Sequence, residues 1–279
     1  MNNVRMGLFS WIALILINVF LWAPLVVIAM LGFSDANSLT FPPPSYSMRW
    51  LALLTTDSQW TGPIGTSLMI GAITVVLSLL LGVPLALGLA KGVLGKSRLV
   101  QGVVTAPLIL PGISLAIGFY FVSARLGILD SMLPLVIAHT TVGIAYVVVT
   151  VVAAERSLDR SLEPVARTLG ASFFGALRTI TLPLVAVGIL GGAVLAFLHS
   201  WDDVVNALML GTARVRPFPA RLWAEMQHVL YPVAATAAVL LSVVSIGVLA
   251  LGAVAIWLFK KRMPAGQAAN IILRTGNKA

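Results

Sequence analysis

Six long, uncharged and apolar runs restrict what this chain can fold into. They lie at Leu8–Phe33, Ile64–Ala90, Leu99–Ala124, Met132–Ala154, Leu182–Trp201 and Val229–Phe259. A helix needs about 20 mostly apolar residues to cross a bilayer, where its backbone must satisfy its own hydrogen bonds. Only 10% of the 279 residues are charged, against about 25% in soluble proteins. The sequence therefore predicts an all-α membrane protein with about six transmembrane helices.

Basic residues are unevenly distributed between the loops that join these runs. If the N-terminus lies in the cytoplasm, 13 of the 18 Lys and Arg fall in cytoplasmic segments and five fall outside. Short cytoplasmic loops of membrane proteins carry such an excess of positive charge. We therefore expect both termini in the cytoplasm. Because the cations are not gathered in one patch, the lipid bilayer is the expected partner and nucleic acid is not.

The sequence has no cysteine and no phosphate-binding loop of the Gly-x-x-x-x-Gly-Lys-Ser/Thr type. The lack of cysteine excludes disulfides and Cys-ligated metal sites. The lack of a phosphate-binding loop argues that this chain does not hydrolyse ATP itself. We predict no catalytic residue and no cofactor.

The loop 155–182 carries the most informative pattern. Its apolar residues at the spacing of one helix face are Leu162, Val165, Ala166, Leu169 and Phe173. Pro164 suits a first helical turn, Gly170 suits a helix end, and a new helical turn is expected near Ser172. Periodicity alone is equally typical of an amphipathic helix that lies in the lipid headgroup region.

A longer motif lies on the same loop. The string EPVARTLG, from Glu163 to Gly170, is followed after nine residues by ITLP, from Ile180 to Pro183. It resembles the EAA loop in permeases of type I ATP-binding cassette (ABC) importers, where Glu-Ala-Ala precedes three residues, a Gly, nine residues and Ile-x-Leu-Pro. The residues that match in type and spacing are Ala166, Gly170, Ile180, Leu182 and Pro183. Pro164 and Val165 depart from the motif, and Glu163 stands one residue early.

Three further segments are similar to one branch of this family. They are Phe41–Trp50, Pro107–Gly112 and Ser200–Asp203. The branch resembles the spermidine/putrescine permeases, in particular the second permease of that system. Its relatives also serve the uptake of aminoethylphosphonate, iron, thiamine or opines, so the resemblance implies a small cationic or amine-bearing solute without fixing it.

The resemblance implies the fold of a type I importer permease in the bacterial inner membrane. Residues 1–61 would form the first helix and an outer loop, 62–259 the transmembrane core, and 260–279 a cytoplasmic tail. A second homologous permease, as a heterodimer, would complete the substrate pathway, and an external binding protein would deliver substrate. A cytoplasmic ATPase dimer would dock on the loop. The residues implied in this coupling are Glu163, Ala166, Gly170, Ile180, Leu182 and Pro183.

Polar residues follow the fifth apolar run at helical spacing. They are His199, Asp202, Asp203 and Asn206. A helix that continued through them would carry all four on one face, where carboxylates near the membrane edge would attract a cationic substrate. The alternative is a solvated helix end, with the acids paired to Arg214 or Arg216. Since no third ligand converges on them, we predict no metal.

Other residues within the apolar runs have structural interpretations. His139 is expected to hydrogen-bond to a neighbouring helix, with a place in the lining of the pathway as the alternative, and Gly188 and Gly192 predict close packing of the fifth helix. Pro107 and Pro111 are expected to kink the third helix, since a proline removes a backbone bond and clashes with the preceding turn.

Two other classes of membrane protein also carry polar residues within their spans. An intramembrane enzyme would need a convergent nucleophile and base, which only His199 with Asp202 or Asp203 resembles. A secondary transporter driven by an ion gradient would use buried acids but no ATPase-docking loop. The spacing from Gly170 to Pro183 favours the importer permease over both.

Overall fold

The computed structural model describes residues 7–93, 98–159, 161–228 and 231–262. Most of the predicted tail 260–279 lies outside these ranges, as do Arg160 and Val229. Within them the regular structure is helical. The helices are α1 (Leu8–Gly32), α2 (Arg49–Thr56), α3 (Ser58–Ala90), α4 (Arg98–Thr105), α5 (Gly112–Arg125), α6 (Leu133–Arg156), α7 (Leu162–Thr168), α8 (Phe173–Ala176), α9 (Leu182–Asp202), α10 (Val204–Leu210), α11 (Phe218–His228) and α12 (Pro232–Arg262).

Five helical segments of the described chain are long and apolar enough to cross a membrane. They are Leu8–Gly32, Ser58–Ala90, Leu133–Arg156, Phe173–Asp202 and Pro232–Lys261. They agree with five of the six predicted runs, although α3 begins six residues earlier than expected. The all-α membrane fold is therefore confirmed. The described chain has six spans if the two helices of the third run, which meet at a bend, together form one span.

The third apolar run is not one kinked helix, which corrects the sequence-based expectation. Helical residues 99–108 and α5 meet at a bend of 96°. A short 3₁₀ turn, Ala106–Leu108, ends the first part, and Pro111 directly precedes α5. Proline lacks an N–H and disfavours helical geometry in the residue before it. The two prolines were therefore correctly predicted as the break, but its angle is far larger than a kink.

The chain divides into two compact units. The first comprises Met1–Gly62 and Arg221–Val244. There the hydroxyl of Thr236 donates to the carbonyl of Gly32 at 2.6 Å, which ties the end of α1 to α12. Gly32 permits this approach, because a Cβ would lie 3.1 Å from the Thr236 backbone. The guanidinium of Arg221 lies 4.3 Å from the ring centre of Trp60.

The second unit comprises Pro63–Ala220 and Ser245–Ala279, and α6 is its central helix. α6 packs most extensively against α9. A Cβ on Gly188 would lie 2.7 Å from the Thr150 carbonyl oxygen, and one on Gly192 would lie 2.8 Å from the Val147 Cα. The predicted close packing through small residues is thus confirmed. The buried apolar cluster between α3, α6 and α9 consists of Ala86, Leu87, Val147, Val148, Val151, Val152 and Val185.

We predict that Gly192→Ala lowers the stability of the protein, whereas the neighbouring Gly191→Ala does not. The new methyl group at position 192 would overlap Val147 and Thr150, while a Cβ at position 191 meets no atom within 4 Å. Overpacking costs about 1–3 kcal/mol. Thermal denaturation of both purified variants in the same detergent measures the difference. Equal melting temperatures would contradict the packing described here.

Candidate functional site

The loop 155–182 folds into two short helices joined by a tight turn. α7 ends in a Schellman motif, in which the Ala171 N–H donates to the Ala166 carbonyl at 3.0 Å and the Gly170 N–H donates to the Arg167 carbonyl at 3.1 Å. Gly170 has φ +93°, the left-handed conformation that favours glycine. The predicted helix end at Gly170 is therefore confirmed. Ala166 contributes its backbone carbonyl to the turn.

The second short helix begins where the sequence predicted it. Ser172 is the N-cap of α8, and its hydroxyl accepts from the Gly175 N–H at 3.0 Å. A π-helical segment, Leu177–Thr181, then leads without a break into α9. Pro183 is the second residue of α9, and because it lacks an N–H it donates no backbone hydrogen bond to the π-helical turn before it. The loop is thus continuous with the fifth predicted span.

Glu163 attaches α7 to two other elements. Its carboxylate forms an ion pair with the ammonium of Lys91, which directly follows α3. The hydroxyl of Thr181 donates to the same carboxylate oxygen, Oε2, at 3.0 Å. The hydrogen bond from Lys91, more than any other contact, lowers the pKa of Glu163. The carboxylate therefore stays ionised at neutral pH, and the pair is lost only as the pH falls through that lowered pKa.

Most apolar side chains of the loop are exposed. Leu169 is 83% exposed and Phe174 is 77% exposed, while Leu162, Val165 and Phe173 are exposed to a smaller degree. Behind α7 lies an open pocket of about 730 Å³. Lys91, Glu155, Asp159, Glu163, Arg167 and Ile180 are among the residues that line it. The loop therefore offers exposed apolar side chains next to a pocket whose lining is both charged and apolar.

The six predicted coupling residues do not form one patch. Glu163 and Ile180 line the same pocket, and Gly170 shapes the exposed turn. Leu182 packs instead against the buried apolar cluster of the second unit. Sequence reasoning missed Lys91, because a lysine after an apolar run carries no signal of its partner 72 residues away.

A second polar site lies where α9 ends. Asp203 is the N-cap of α10, and its carboxylate accepts from the Asn206 N–H at 3.0 Å and from the Asn206 side-chain amide at 2.6 Å. Asp203 Oδ2 lies 3.6 Å from His139 Nε2 and 3.7 Å from His199 Nε2. The Asp203 side chain is only 8% exposed. His139 Nδ1 lies 2.8 Å from the hydroxyl of Ser200, so the predicted bond to a neighbouring helix is confirmed.

The predicted single helical face through these residues is wrong. α9 ends at Asp202, and Asp203 has extended backbone angles before α10 begins. Asp203 consequently turns inward toward His139, His199 and Asn206, while Asp202 remains exposed. Within the described part of the chain, the Asp203 carboxylate lies beside the two histidines, and no ion pair joins it to Arg214 or Arg216. In the ranges that the structure describes, no three His, Cys, Asp or Glu side chains are placed to hold a metal ion together.

Comparison with known families gives a match over most of the chain. The profile of the family described as "Binding-protein-dependent transport system inner membrane component" matches residues 79–260. This segment includes the loop 155–182 and the polar site at Asp203.

Individual relatives cover most of the chain as well. The putrescine transport system permease protein PotI of Escherichia coli is 31% identical over 238 residues, which cover 81% of this chain and 84% of that protein. The molybdenum transport system permease protein ModB of Mycobacterium tuberculosis is 35% identical over 222 residues, which cover 73% and 82%. The spermidine/putrescine transport system permease protein PotC of Escherichia coli is 26% identical over 230 residues, which cover 82% and 87%.

The fold is also found among solved structures. A chain of the bacterial alginate ABC transporter, in complex with an alginate pentasaccharide-bound periplasmic protein, superimposes with a TM-score of 0.66 and 16% sequence identity. The match covers 88% of this chain and 91% of that one. This similarity is evidence for the fold.

We predict that Asp203→Ala destabilises the protein and that the adjacent Asp202→Ala does not. Losing the Asp203 carboxylate removes a helix cap and leaves the buried Asn206 amide unpaired, at a cost of about 1–3 kcal/mol. Asp202 is exposed, and such substitutions usually stay within about 0.5 kcal/mol. Membrane abundance and thermal denaturation in detergent measure both effects. If the two variants are equally stable, the buried role of Asp203 is wrong.

Proposed function

The chain belongs to the family of binding-protein-dependent transport system inner membrane components. From this premise we propose which partners it works with and which of its residues take part in import. It is a permease subunit of an ABC importer of the bacterial inner membrane, and it is not itself an enzyme. Such permeases work with an ATPase and a substrate-binding protein. We propose that a second homologous permease completes the pathway, that an ATPase dimer docks on loop 155–182, and that an external binding protein delivers the substrate.

The exposed apolar surface of the loop carries this proposal. Leu169 and Phe174 are more than three-quarters exposed, and large apolar side chains gathered at one exposed surface mark interaction sites. The Schellman turn at Gly170 holds α7 in one orientation and stops it from continuing into α8. We propose that the coupling residues together form and support the surface on which the ATPase docks. They are Glu163, Ala166, Gly170, Ile180, Leu182 and Pro183. Some of them would support the docking surface from behind and others would shape it.

We further propose the division of the chain that the sequence suggested. Residues 1–61 would supply the first span and an outer loop, and 62–259 would form the transport core. Residues 260–279 would form a tail in the cytoplasm, so that both termini lie on the side of the ATPase.

The proposed substrate is a small cationic or amine-bearing solute such as spermidine or putrescine. The similarity to PotI and PotC supports this class, while the similarity to ModB supports an alternative in which the cargo contains molybdenum. Asp202 favours a cation, because an exposed carboxylate at the end of a span attracts positive charge. His199, Asp203 and Asn206 would support this end of the pathway, with Asp203 fixing the other two.

A first prediction concerns docking and orientation. Because the chain has no cysteine, Leu169→Cys would carry its only thiol, at the exposed C-cap of α7. We expect a short bifunctional maleimide to cross-link this thiol to an ATPase subunit in membranes. Phe41→Cys, in the predicted outer loop, serves as the matched control. It should give no such product and should react with a membrane-impermeant maleimide added from outside.

The same experiment tests the turn. Gly170→Val, combined with Leu169→Cys, should strongly reduce the yield of the cross-link to the ATPase subunit. The reason is that a β-branched residue costs about 1–2 kcal/mol in the left-handed region. Gly170→Asn should reduce it less, since asparagine tolerates that region better. If the thiol at position 169 reacts only from outside, the docking proposal is wrong.

A second prediction concerns the substrate. Proteoliposomes that contain the permease pair and the ATPase, supplied with binding protein, should take up labelled putrescine on addition of ATP. Asp202→Asn should lower that uptake several-fold while ATP hydrolysis continues, because the substitution removes the negative charge that attracts cations to this end of the pathway. Uptake of molybdate in place of putrescine would contradict the amine class and leave the importer assignment intact.

A further inference from the structure

α7 is held to the rest of its unit mainly through polar contacts. None of its residues is buried, so its apolar side chains do not anchor it. Glu163 and Ala166 are the half-buried residues of this helix. The Glu163 side chain is only 20% exposed and bonds to Lys91, just after α3, and to Thr181, just before α9. The carboxylate also lies in the first turn of α7, where the helix dipole favours negative charge.

Lys91 joins both helices of the loop to α3. Its ammonium pairs with Glu163 of α7, and it lies 6.0 Å from the ring centre of Phe173, the first residue of α8. Cations within about 6 Å of an aromatic face are attracted by it. Since Lys91 is the residue after α3, any displacement of α7 or α8 acts on the end of that helix.

Thr181 joins the same carboxylate to α9. It is buried, it is the last residue of the π-helical segment, and its hydroxyl donates to Glu163. π-helical turns recur at functional sites, where a wider turn displaces side chains from the regular helix pattern. Here the wider turn directly precedes α9, so the position of Thr181 sets where that helix begins.

Tightly packed apolar side chains lie directly behind these polar contacts. Ala86 and Leu87 of α3, Val148 and Val151 of α6, and Val185 of α9 belong to one buried cluster. Close-packed interiors transmit displacement because they are poorly compressible. A force applied at Glu163 therefore reaches three membrane helices through Lys91 and Thr181.

We propose that Lys91, Glu163 and Thr181 form a clamp that positions the coupling helix α7 and transmits its movement to α3 and α9 during transport. This inference rests on the proposed docking of an ATPase at the loop. It assigns to Lys91 a positioning role that lies outside the sequence motif. It also explains how Glu163 acts although Pro164 occupies the motif position for glutamate, since the carboxylate bonds within this chain.

The test uses the complete importer in proteoliposomes, with putrescine uptake and ATP hydrolysis measured on the same preparations. Lys91→Met and Glu163→Gln remove one charge each with little change in shape. We expect uptake per ATP hydrolysed to fall about tenfold, since hydrogen bonds to charged groups are among the stronger ones in proteins. The amount of ATPase subunit that co-purifies should remain within about twofold of the unchanged protein. Leu169 and Phe174, the exposed residues on which docking is proposed, are unaltered. Lys260→Met, which removes an exposed cation at the end of α12, is the matched control and should change neither quantity.

The reversed pair decides between a clamp and a general effect of charge. Lys91→Glu alone places two carboxylates together and should lose coupling, whereas Lys91→Glu with Glu163→Lys restores the opposite charges. We expect the reversed pair to recover coupling to within about threefold of the unchanged protein, and Lys91→Arg to retain it. Normal coupling in Lys91→Met, or no recovery in the reversed pair, would overturn the clamp. If the unchanged protein binds no ATPase, the proposed function itself fails.

Discussion

The close approach of α9 to α6 is the contact on which the buried polar site around Asp203 depends. Gly188 and Gly192 leave room for the backbone of α6, which a Cβ at either position would meet at less than 3 Å. The start of α9 lies beside the clamp at Thr181, and its end carries Ser200 within hydrogen-bond distance of His139. A wider spacing between these helices would separate His139 from Ser200 and from Asp203. The small residues therefore fix polar geometry as well as apolar packing.

Breaks in the helices are the second recurring feature, and three of them occur where side chains or turns satisfy the backbone groups that they free. Ser172 caps α8, Asp203 caps α10, and the turn at Gly170 pairs the last groups of α7. Membrane proteins tolerate such breaks only where the freed donors and acceptors find partners. As a result, the chain can change direction beside a span without leaving many polar groups unpaired.

Local signals in the sequence predicted most of the fold. Apolar runs indicated the spans, and Gly170 and Ser172 marked real helix boundaries, because glycine conformation and N-capping depend on neighbouring residues alone. The wrong expectation at Asp203 came from extending helical periodicity across a residue that suits an N-cap as well as a helix end. The 96° bend was underestimated, since prolines indicate a break but not its angle. The partner of Glu163 could not be predicted, because the pairing with Lys91 depends on how distant helices pack.

The burial of α6 has a consequence for biogenesis. Sixty-seven per cent of its most apolar stretch is buried, and it carries His139, whose partner Ser200 is made 61 residues later. During synthesis α6 therefore leaves the ribosome before the helix that shields it exists. A polar side chain in that position is costly in lipid until it is paired. The nascent α6 therefore carries His139 without its native partner until α9 follows, and its native packing is complete only when both helices are present.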